Sequence, residues 1–286
     1  MQKATEKFRH AEKFMQFHQL HHSGKLLMLP NIWDCLGALL LESLDYPAIA
    51  TASASVAFTN GYDDGENIPF DFLLALLSRI ANSVNVPVTA DIESGYAENN
   101  MHLKENIQRL LQIGIVGINI EDTHKKTKTL LSIEEQCEKI RLIKNTAGEM
   151  DMQIFINART DVYIRKNDFD MPEKQLEETI SRGTAYKAAG ADCFFPIAIQ
   201  NADQIKTVVD QLQMPVNILM IPGIPELNIL NEYGVARVSL GPSFLKIAIR
   251  AMKDIATQLK NYQGLSTVTG NEITSDYLKG LLPGKH

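Results

Sequence analysis

Eight short apolar runs recur along the chain, and a segment of helical length follows each of them. The runs occupy 26–30, 47–51, 87–91, 116–121, 153–158, 192–196, 216–220 and 236–240. Between them lie amphipathic stretches whose apolar residues return every three or four positions, as in 70–84, 103–114, 132–146 and 173–190. Ser132 and Glu135 have the spacing of a capping box, and Gly114 and Gly190 stand where helices should end. The pattern predicts strands alternating with helices.

This alternation predicts an α/β fold of the (β/α)8 TIM barrel type. Strands that are apolar throughout indicate a parallel sheet covered by helices on both faces. Eight units in about 250 residues match the barrel in number and size. An open doubly wound sheet is the alternative, but the segment LPNIWDCLGALL after the first strand lacks a glycine-rich phosphate loop.

We expect one barrel domain over 1–286, because no linker divides the chain. The barrel core is predicted over about 24–260. An extra helix is expected before it, over about 5–22, and a helical tail after Gln263 that ends in the turn residues LPGKH.

Charge and composition narrow the classes of function. The net charge of −6 argues against a nucleic-acid surface, so an anionic substrate must be attracted locally, by a metal ion or by arginines. No apolar run approaches the roughly 20 residues that span a membrane. Cys35, Cys137 and Cys193 are far apart and form neither a disulfide framework nor a metal-ligand spacing. We therefore expect a cytoplasmic protein without nucleic-acid or membrane partners.

Polar residues collect where the predicted strands end. The active site of a TIM barrel lies at the C-terminal ends of its strands. The residues at or near these ends are Asn31, Asp34, Ser53, Ser55, Asp91, Glu93, Glu121, Asp122, Asn157, Arg159, Asp161, Asn217 and Pro242. Polar groups crowded at one end of otherwise apolar strands predict that the chemistry takes place there.

Three of these residues are acids that should lie close together. Asp91 and Glu93 follow an apolar strand in VPVTADIESGYAENN, and alternation along a strand would point both into the barrel mouth. Together with Glu121 from the next strand, they must hold protons or share a cation. Hard oxygen ligands without histidine or cysteine suit Mg²⁺ or Mn²⁺ rather than zinc.

Arg159, in INARTDVY, offers a planar guanidinium suited to gripping a substrate carboxylate. The alternative is a buried ion network of the three acids and Arg159 with a purely structural role.

Other polar segments are weaker candidates. His18, His21 and His22 are expected to be a hydrated helix end rather than metal ligands, because they precede the first strand and so start at the opposite face of the barrel. The segment THKKTKT over 123–129 is either a solvated loop or a lid that carries cations to a substrate. The segment TNGYDDGEN over 59–67 has turn composition, and its Asp64 could lean over the site.

Taken together, the motifs resemble one superfamily, that of isocitrate lyase and phosphoenolpyruvate mutase. They occur in the expected order over roughly residues 20 to 255, and they are NIWDCLGALLLE, ASASVAFTNGYDDGE, TADIESGYA, GINIEDT, INARTDVY, AGADCFFP, PVNILM and RVSLGPS. The resemblance implies a TIM barrel that forms a homodimer or a homotetramer, in which dimers swap their last helix. It also implies Mg²⁺-dependent chemistry on a small anionic 2-oxo acid.

The resemblance further implies roles for individual residues. Asp91 would be the closest metal ligand, with Glu93, Glu121 and Asp64 acting largely through water. Arg159 matches the substrate arginine of the superfamily. The substrate-binding positions implied by the resemblance or by their place at the rim are Ser53 and Ala54, whose backbone amides would hold the oxo acid, together with Ser55, Asn217 and Pro242.

Departures from the pattern are equally informative. Isocitrate and methylisocitrate lyases carry a lysine–cysteine signature on the loop after the fourth strand. That loop reads EDTHKKTKTLLS here and has no cysteine, and Cys137 lies too far along, inside a predicted helix. Thr127 and Thr129 stand where phosphonomutases have lysine and asparagine, and Pro196 stands where the lyases have glutamate. A standard methylisocitrate lyase is therefore not expected, and the chain resembles the phosphonomutase-like branch.

The sequence thus predicts a lyase or mutase that breaks a C–C or C–P bond in a small 2-oxo or 2-hydroxy acid through a metal-stabilised enolate. Arg159 and Glu121 would serve the catalytic site, and His124 or Lys126 on the loop would supply a proton. Decarboxylation or hydrolysis of oxaloacetate is an alternative reaction. A non-catalytic protein that binds Mg²⁺ and an oxo acid is another, and a dinucleotide-dependent enzyme is disfavoured because the glycine loop is missing.

Overall fold

Short parallel strands form the centre of the molecule in a computed structural model that describes residues 2–282. All eight predicted apolar runs contain strand residues. In chain order the strands are β1 (Leu27–Leu29), β2 (Asn31–Ile32), β3 (Ile49–Thr51), β4 (Val88–Asp91), β5 (Gly117–Glu121), β6 (Phe155–Thr160), β7 (Cys193–Pro196), β8 (Asn217–Leu219) and β9 (Arg237–Ser239).

The strands close into a ring. β1 and β2 are two halves of the first barrel strand, separated by Pro30, which has no amide hydrogen for a strand ladder. β2 to β7 pair in sequence order, while β9 lies between β1 and β8. A parallel bridge between Phe194 and Val216 joins β7 to β8. Since every strand pairing is parallel and the ring is complete, the predicted (β/α)8 barrel is confirmed and the open sheet is excluded.

Helices surround the ring and extend it at both chain ends. They are α1 (Gln2–His21), α2 (Cys35–Ser43), α3 (Ser53–Thr59), α4 (Phe70–Ser83), α5 (Asn100–Gln112), α6 (Ile133–Glu149), α7 (Pro172–Ala189), α8 (Ala202–Leu212), α9 (Leu227–Glu232), α10 (Ser243–Lys260), α11 (Leu265–Thr269) and α12 (Ser275–Leu281), with a 3₁₀ turn over Lys166–Asp168. The predicted capping box of Ser132 and Glu135 begins α6, and Gly190 ends α7 with a left-handed φ of 107°. Among the helices of residues 2–282, none has the length and apolar character to cross a membrane.

Helix α1 closes the N-terminal end of the barrel. Phe17 is fully buried and packs edge-on against Phe155 of β6, with ring centroids 5.0 Å apart. His21, one turn further on, lies 4.3 Å from the same Phe155 ring and is only 4% exposed. The expectation of a hydrated helix end is therefore wrong for His21, because the i, i+4 spacing places it on the same buried face as Phe17. His22, by contrast, is exposed.

Helices α11 and α12 form the predicted helical tail after Gln263, and the long helix α10 precedes them. Helix α10 has 18 residues, of which only Leu245 is buried. Its apolar side chains Ile247, Ile249, Met252 and Leu259 are exposed. Helix α12 packs back against α2. The turn predicted for LPGKH falls largely on 283–286, outside the described residues.

Candidate active site

A cavity of about 260 Å³ lies at the C-terminal ends of the strands and continues into the barrel. Its rim brings together the predicted residues Ser53, Ala54, Asp64, Asp91, Arg159 and Pro242. Its deeper wall is polar and includes Asn31, Thr89, Asn119, Asn157, Arg237 and Ser239. Of the polar residues predicted at the strand ends, those that line the cavity are Asn31, Ser53, Asp91, Asn157 and Arg159.

Asp91, the last residue of β4, is held by donors from neighbouring segments. Its Oδ2 accepts hydrogen bonds from the backbone amide and the hydroxyl of Ser53, at 3.2 and 2.9 Å. Its Oδ1 accepts from Asn119 Nδ2 at 2.9 Å and from the amide of Glu93 at 3.2 Å. The amide of Asp91 itself donates to Thr51 Oγ1 at 3.1 Å. These contacts fix the orientation of the carboxylate at the edge of the cavity.

Glu93 lies behind Asp91 rather than beside it in the cavity. Strand β4 ends at Asp91, and Glu93 takes a left-handed φ of 50° in the turn that follows, so the strand alternation assumed from the sequence does not reach it. The side chain is 4% exposed, and its Oε1 accepts a hydrogen bond of 2.8 Å from the Tyr96 hydroxyl. Burial and then the neighbouring Asp91 raise the pKa of Glu93 to about 8.

Asp64 approaches Asp91 from the turn between α3 and α4 and lines the cavity. Burial and then the charge of Asp91 raise the pKa of Asp64. The pKa of Glu93 is raised by the same two causes. The charge of Asp91 therefore makes ionisation of both Asp64 and Glu93 less favourable.

Arg159 of β6 is clamped between two acids. Its Nη1 lies 2.9 Å from Glu121 Oε2, and its Nε donates to Asp161 Oδ1 at 2.6 Å. Burial alone would lower the pKa of Arg159, but the charges of Glu121 and Asp161 outweigh it, so the net shift is upward. The guanidinium thus remains a fixed cation in the cavity wall.

Glu121 pairs with this arginine. Residues Glu121 and Arg159 stand opposite each other in the register of β5 and β6. Burial raises the pKa of Glu121, and the adjacent Arg159 guanidinium opposes that shift by stabilising the carboxylate. Glu121 does not line the cavity, so in this arrangement it orients Arg159 rather than facing a ligand.

A second buried network supports the clamp. Asp161 Oδ2 accepts from Thr123 Oγ1 at 2.6 Å, and the amide of Asp161 donates to Asp122 Oδ1 at 3.0 Å. Asp122 Oδ2 in turn pairs with Arg182 at 3.0 Å and accepts from the Tyr186 hydroxyl at 2.7 Å. The ends of β5 and β6 are therefore fixed to α7.

The loop over 123–129 is attached to the rim of the barrel. Lys125 Nζ lies 3.2 Å from the buried carboxylate of Glu66 and donates to its carbonyl oxygen at 3.2 Å. The side chain of Arg165 donates to the carbonyl oxygen of Lys128. Yet His124 and Lys126, the predicted proton donors, are exposed and do not line the cavity.

Two predicted substrate residues also lie away from the cavity surface. Ser55 is fully buried within α3. Asn217 of β8 is fully buried inside the barrel, where its Oδ1 accepts from Ser239 Oγ at 3.1 Å. Neither side chain lines the cavity, so contact of either with a ligand at the rim is not part of this geometry.

The sequence reasoning missed several polar residues of the cavity and its supports. Asn119 lies inside β5, and its Oδ1 accepts a hydrogen bond of 3.0 Å from Nδ2 of Asn157, which the sequence did predict. Arg237 stands in a strand that was read as apolar, ARVSL. A charged residue in the middle of such a strand was the available signal. For Glu66 and Tyr96 the sequence carries no comparable signal, because both lie in loops.

A divalent cation fits the donor set around Asp91. Within 2–282, no three histidine, cysteine or acidic side chains converge closely enough to form a metal cage by themselves. The carboxylates of Asp91, Asp64 and Glu93 nevertheless supply hard oxygen atoms. Burial and then the charge of Asp91 raise the pKa values of Asp64 and Glu93, and a cation would favour the ionised form of both. Mg²⁺ often binds through one or two carboxylates and keeps several waters, which suits this arrangement.

Comparison with known proteins agrees with this architecture. The sequence model of the family described as phosphoenolpyruvate phosphomutase matches residues 17–260. An uncharacterised protein of Mycobacterium tuberculosis H37Rv is 33% identical over 79% of this chain and 82% of its own length. Oxaloacetate decarboxylase 1 of Pseudomonas fluorescens is 26% identical over 94% of this chain and 92% of its own length.

A solved structure with the same fold is more similar in sequence to this chain than the two relatives above. It is a Burkholderia cenocepacia protein whose assignment as a phosphonomutase is provisional, with 36% identity and a TM-score of 0.80. The match covers 87% of this chain and 99% of that protein. Because these matches cover most of its length, the chain belongs to the phosphoenolpyruvate phosphomutase family, within the isocitrate lyase and phosphoenolpyruvate mutase superfamily.

Proposed function

We propose that this protein is a Mg²⁺-dependent lyase that breaks a C–C bond in a small anionic 2-oxo acid. The observation that carries the proposal is the common cavity of Asp91 and Arg159: an acidic cluster suited to a cation stands near a fixed guanidinium suited to a carboxylate. A 2-oxo acid carries a carboxylate and an adjacent carbonyl oxygen, so it can meet both features at once.

The chain's own residues would bind and orient the substrate. Arg159 takes the substrate carboxylate, and its clamp by Glu121 and Asp161 holds the guanidinium in place before the substrate arrives. The amide and hydroxyl of Ser53 keep Asp91 aimed at the cavity. Ala54, the next residue, also lines the cavity, and its backbone amide would hold the carbonyl end of the substrate.

When bound at Asp91, with Glu93, Asp64 and Glu121 nearby, Mg²⁺ or Mn²⁺ would supply Lewis-acid stabilisation of the negative charge that develops on the 2-oxo oxygen. A proton must then reach the third carbon. His124 and Lys126 are the proposed donors, and because both lie outside the cavity, the loop over 123–129 would have to move inward to serve this role.

Decarboxylation or hydrolysis of oxaloacetate is the first reaction to test. It is favoured by the likeness to oxaloacetate decarboxylase 1 along nearly the whole of both chains. Cleavage of a C–P bond, as in a phosphonomutase, and binding of an oxo acid without turnover are the competing outcomes. The absence of a cysteine from the loop over 123–129 continues to argue against a standard methylisocitrate lyase.

The experiment is a panel of 2-oxo and 2-hydroxy acids, including oxaloacetate and phosphonopyruvate, followed by proton and phosphorus NMR with Mg²⁺ or with EDTA. We expect one acid to be consumed only with Mg²⁺, and Asp91→Asn to lose about 100-fold or more in rate. Asp45→Asn, an exposed aspartate in a turn, is the matched control. Turnover that survives both EDTA and Asp91→Asn would refute the proposal, and calorimetric binding of oxalate without any turnover would identify a binding protein.

We also propose that the protein works as a homodimer or homotetramer. Helix α10 exposes Ile247, Ile249, Met252 and Leu259, whereas a surface helix of a monomer usually buries its apolar stripe. A second copy of the chain is the simplest cover for this face.

A further inference from the structure

Arg237 is a buried cation at the floor of the cavity. It lies on β9 between Leu27 of β1 and Asn217 of β8, and its side chain is 3% exposed. It lines the same cavity as Asp91 and Arg159. The proposed reaction assigns it no part.

The hydrogen bonds around Arg237 fix which atoms are free. Its Nε donates to Ser239 Oγ at 3.0 Å, so the Ser239 hydroxyl is left to donate to Asn217 Oδ1, 3.1 Å away. This orientation leaves Asn217 Nδ2 as an unused donor. Among the described residues, neither Asn217 Nδ2 nor Arg237 Nη1 has a hydrogen-bond partner.

The charge of Arg237 is also uncompensated at close range. Arg159 has carboxylates at 2.6 and 2.9 Å, whereas no acid in the described part of the chain lies within 4.0 Å of the Arg237 guanidinium. Asp91 acts on it only from a distance, and Cys193 of β7 and His21 of α1 are its other titratable neighbours. A buried, unpaired guanidinium is unfavourable, and a bound anion would relieve it.

Water alone would satisfy the hydrogen bonds but not the charge. Asn157 Oδ1 is also buried and lacks a partner within residues 2–282, and buried water molecules commonly satisfy such groups. Such a water molecule leaves the positive charge where it is. The two free donors and the charge together favour an anion over water.

We propose that Arg237 forms an anion-binding subsite at the floor of the cavity for a carboxylate group or a halide, with Asn217 Nδ2, on the neighbouring strand, as a second donor behind it. The anion is either a second acidic group of the substrate or a free inorganic ion. The first source rests on the proposed function and would make the enzyme selective for dicarboxylic acids, whereas the second is independent of it.

Bromide is the probe, used on protein freed of metal with EDTA in a buffer without other halides. We expect crystals soaked in bromide to show an anomalous peak in contact with Arg237. In solution, bromide at about 100 times its Kd should raise the melting temperature of the wild type by about 5 °C. Arg237→Met should lose that response and, without bromide, should be at least as stable as the wild type.

Arg141→Met, which removes a surface arginine paired with Glu134, is the matched control and should respond to bromide as the wild type does. No bromide peak at Arg237, or an equal bromide response in Arg237→Met, would overturn the proposal. Should Arg237→Met fail to fold, the soak of wild-type crystals decides the question alone.

Kinetic measurements distinguish the two sources of the anion, an acidic group of the substrate and a free inorganic ion. If turnover of a dicarboxylic acid is found, a KM raised about tenfold or more in Arg237→Met, with a monocarboxylic analogue unaffected, identifies the substrate as the source. An unchanged KM together with lost bromide binding identifies a free ion. Failure to find any turnover would count against the proposed function and leave the bromide result standing.

Discussion

Replacing His21 with phenylalanine should remove about 2 kcal/mol of the protein's loss of stability between pH 7.5 and pH 5.0. His21 is enclosed at the N-terminal end of the barrel between Phe17 and Phe155, at centroid distances of 4.7 and 4.3 Å. Its Nδ1 donates to the carbonyl oxygen of Phe17 at 2.9 Å. Burial and then the charge of Arg237 lower the pKa of His21 to about 3. The folded protein therefore keeps this imidazole neutral.

The sign and size of the effect follow from proton linkage. Between the folded pKa of about 3 and the unfolded value of 6.5, the unfolded chain binds a proton that the folded chain refuses. The free energy of unfolding therefore falls as the pH drops below 6.5. From pH 7.5 to 5.0 the loss from His21 is about 1.4 × log(1 + 10^1.5), or about 2 kcal/mol.

Urea unfolding at constant ionic strength, at pH 7.5, 6.5, 5.5 and 5.0, measures this difference. The gap in unfolding free energy between His21→Phe and the wild type should grow by about 2 kcal/mol in favour of the variant as the pH falls over that range. Carboxylates that titrate in both proteins cancel in the comparison. His22→Gln changes the exposed histidine one residue away and tests whether burial is the cause. Parallel pH profiles for His21→Phe and the wild type would show that the reasoning is wrong.

Two further predictions concern the support of the site and the assembly. Arg182→Met should lower the free energy of unfolding by about 3 to 5 kcal/mol, because it leaves the carboxylate of Asp122 buried without its cation. Urea unfolding measures this loss, with the surface variant Arg141→Met as the control. A loss below about 1 kcal/mol would contradict the prediction. The double variant Ile247→Glu and Met252→Glu should reduce the mass found by light scattering to that of a monomer, and an unchanged mass would exclude the exposed face of α10 from the subunit contact.

The periodicity of the sequence was sufficient to predict the barrel. Each of the eight apolar runs contains a strand, and the helices of 70–83, 100–112, 133–149 and 172–189 begin and end within three residues of the predicted stretches. A chain in which strands and helices alternate, and whose strands are apolar on both faces, can adopt only a few folds, which explains this agreement. The site was predicted through its rim, because barrel strands end at a common mouth.

The position of Glu93 and the burial of His21 could not be predicted from the sequence, because they depend on a local turn and on a contact between residues distant in the chain. Glu93 stands two residues after Asp91, yet a left-handed turn separates their directions. His21 lies in a polar segment, and only its packing on Phe155, more than 130 positions away in the chain, decides that it is buried. The turn at Glu93 has no periodic signature, and the i, i+4 spacing of His21 from Phe17 does not by itself show that their shared helix face is buried.

The register between paired strands decides which of the rim residues contact one another. The pairing of β5 with β6 sets Glu121 opposite Arg159, so part of the acidic charge is already matched by the protein's own cation. The structural ion network considered from the sequence therefore exists, but it includes Glu121 and not Asp91. Within residues 2–282, no basic side chain lies within 4.0 Å of the carboxylates of Asp91, Asp64 or Glu93, and no acid lies within 4.0 Å of the Arg237 guanidinium. An acidic cluster at the rim and an unmatched cation at the floor of one cavity favour a ligand that is negative at the floor and approaches the rim together with a metal ion.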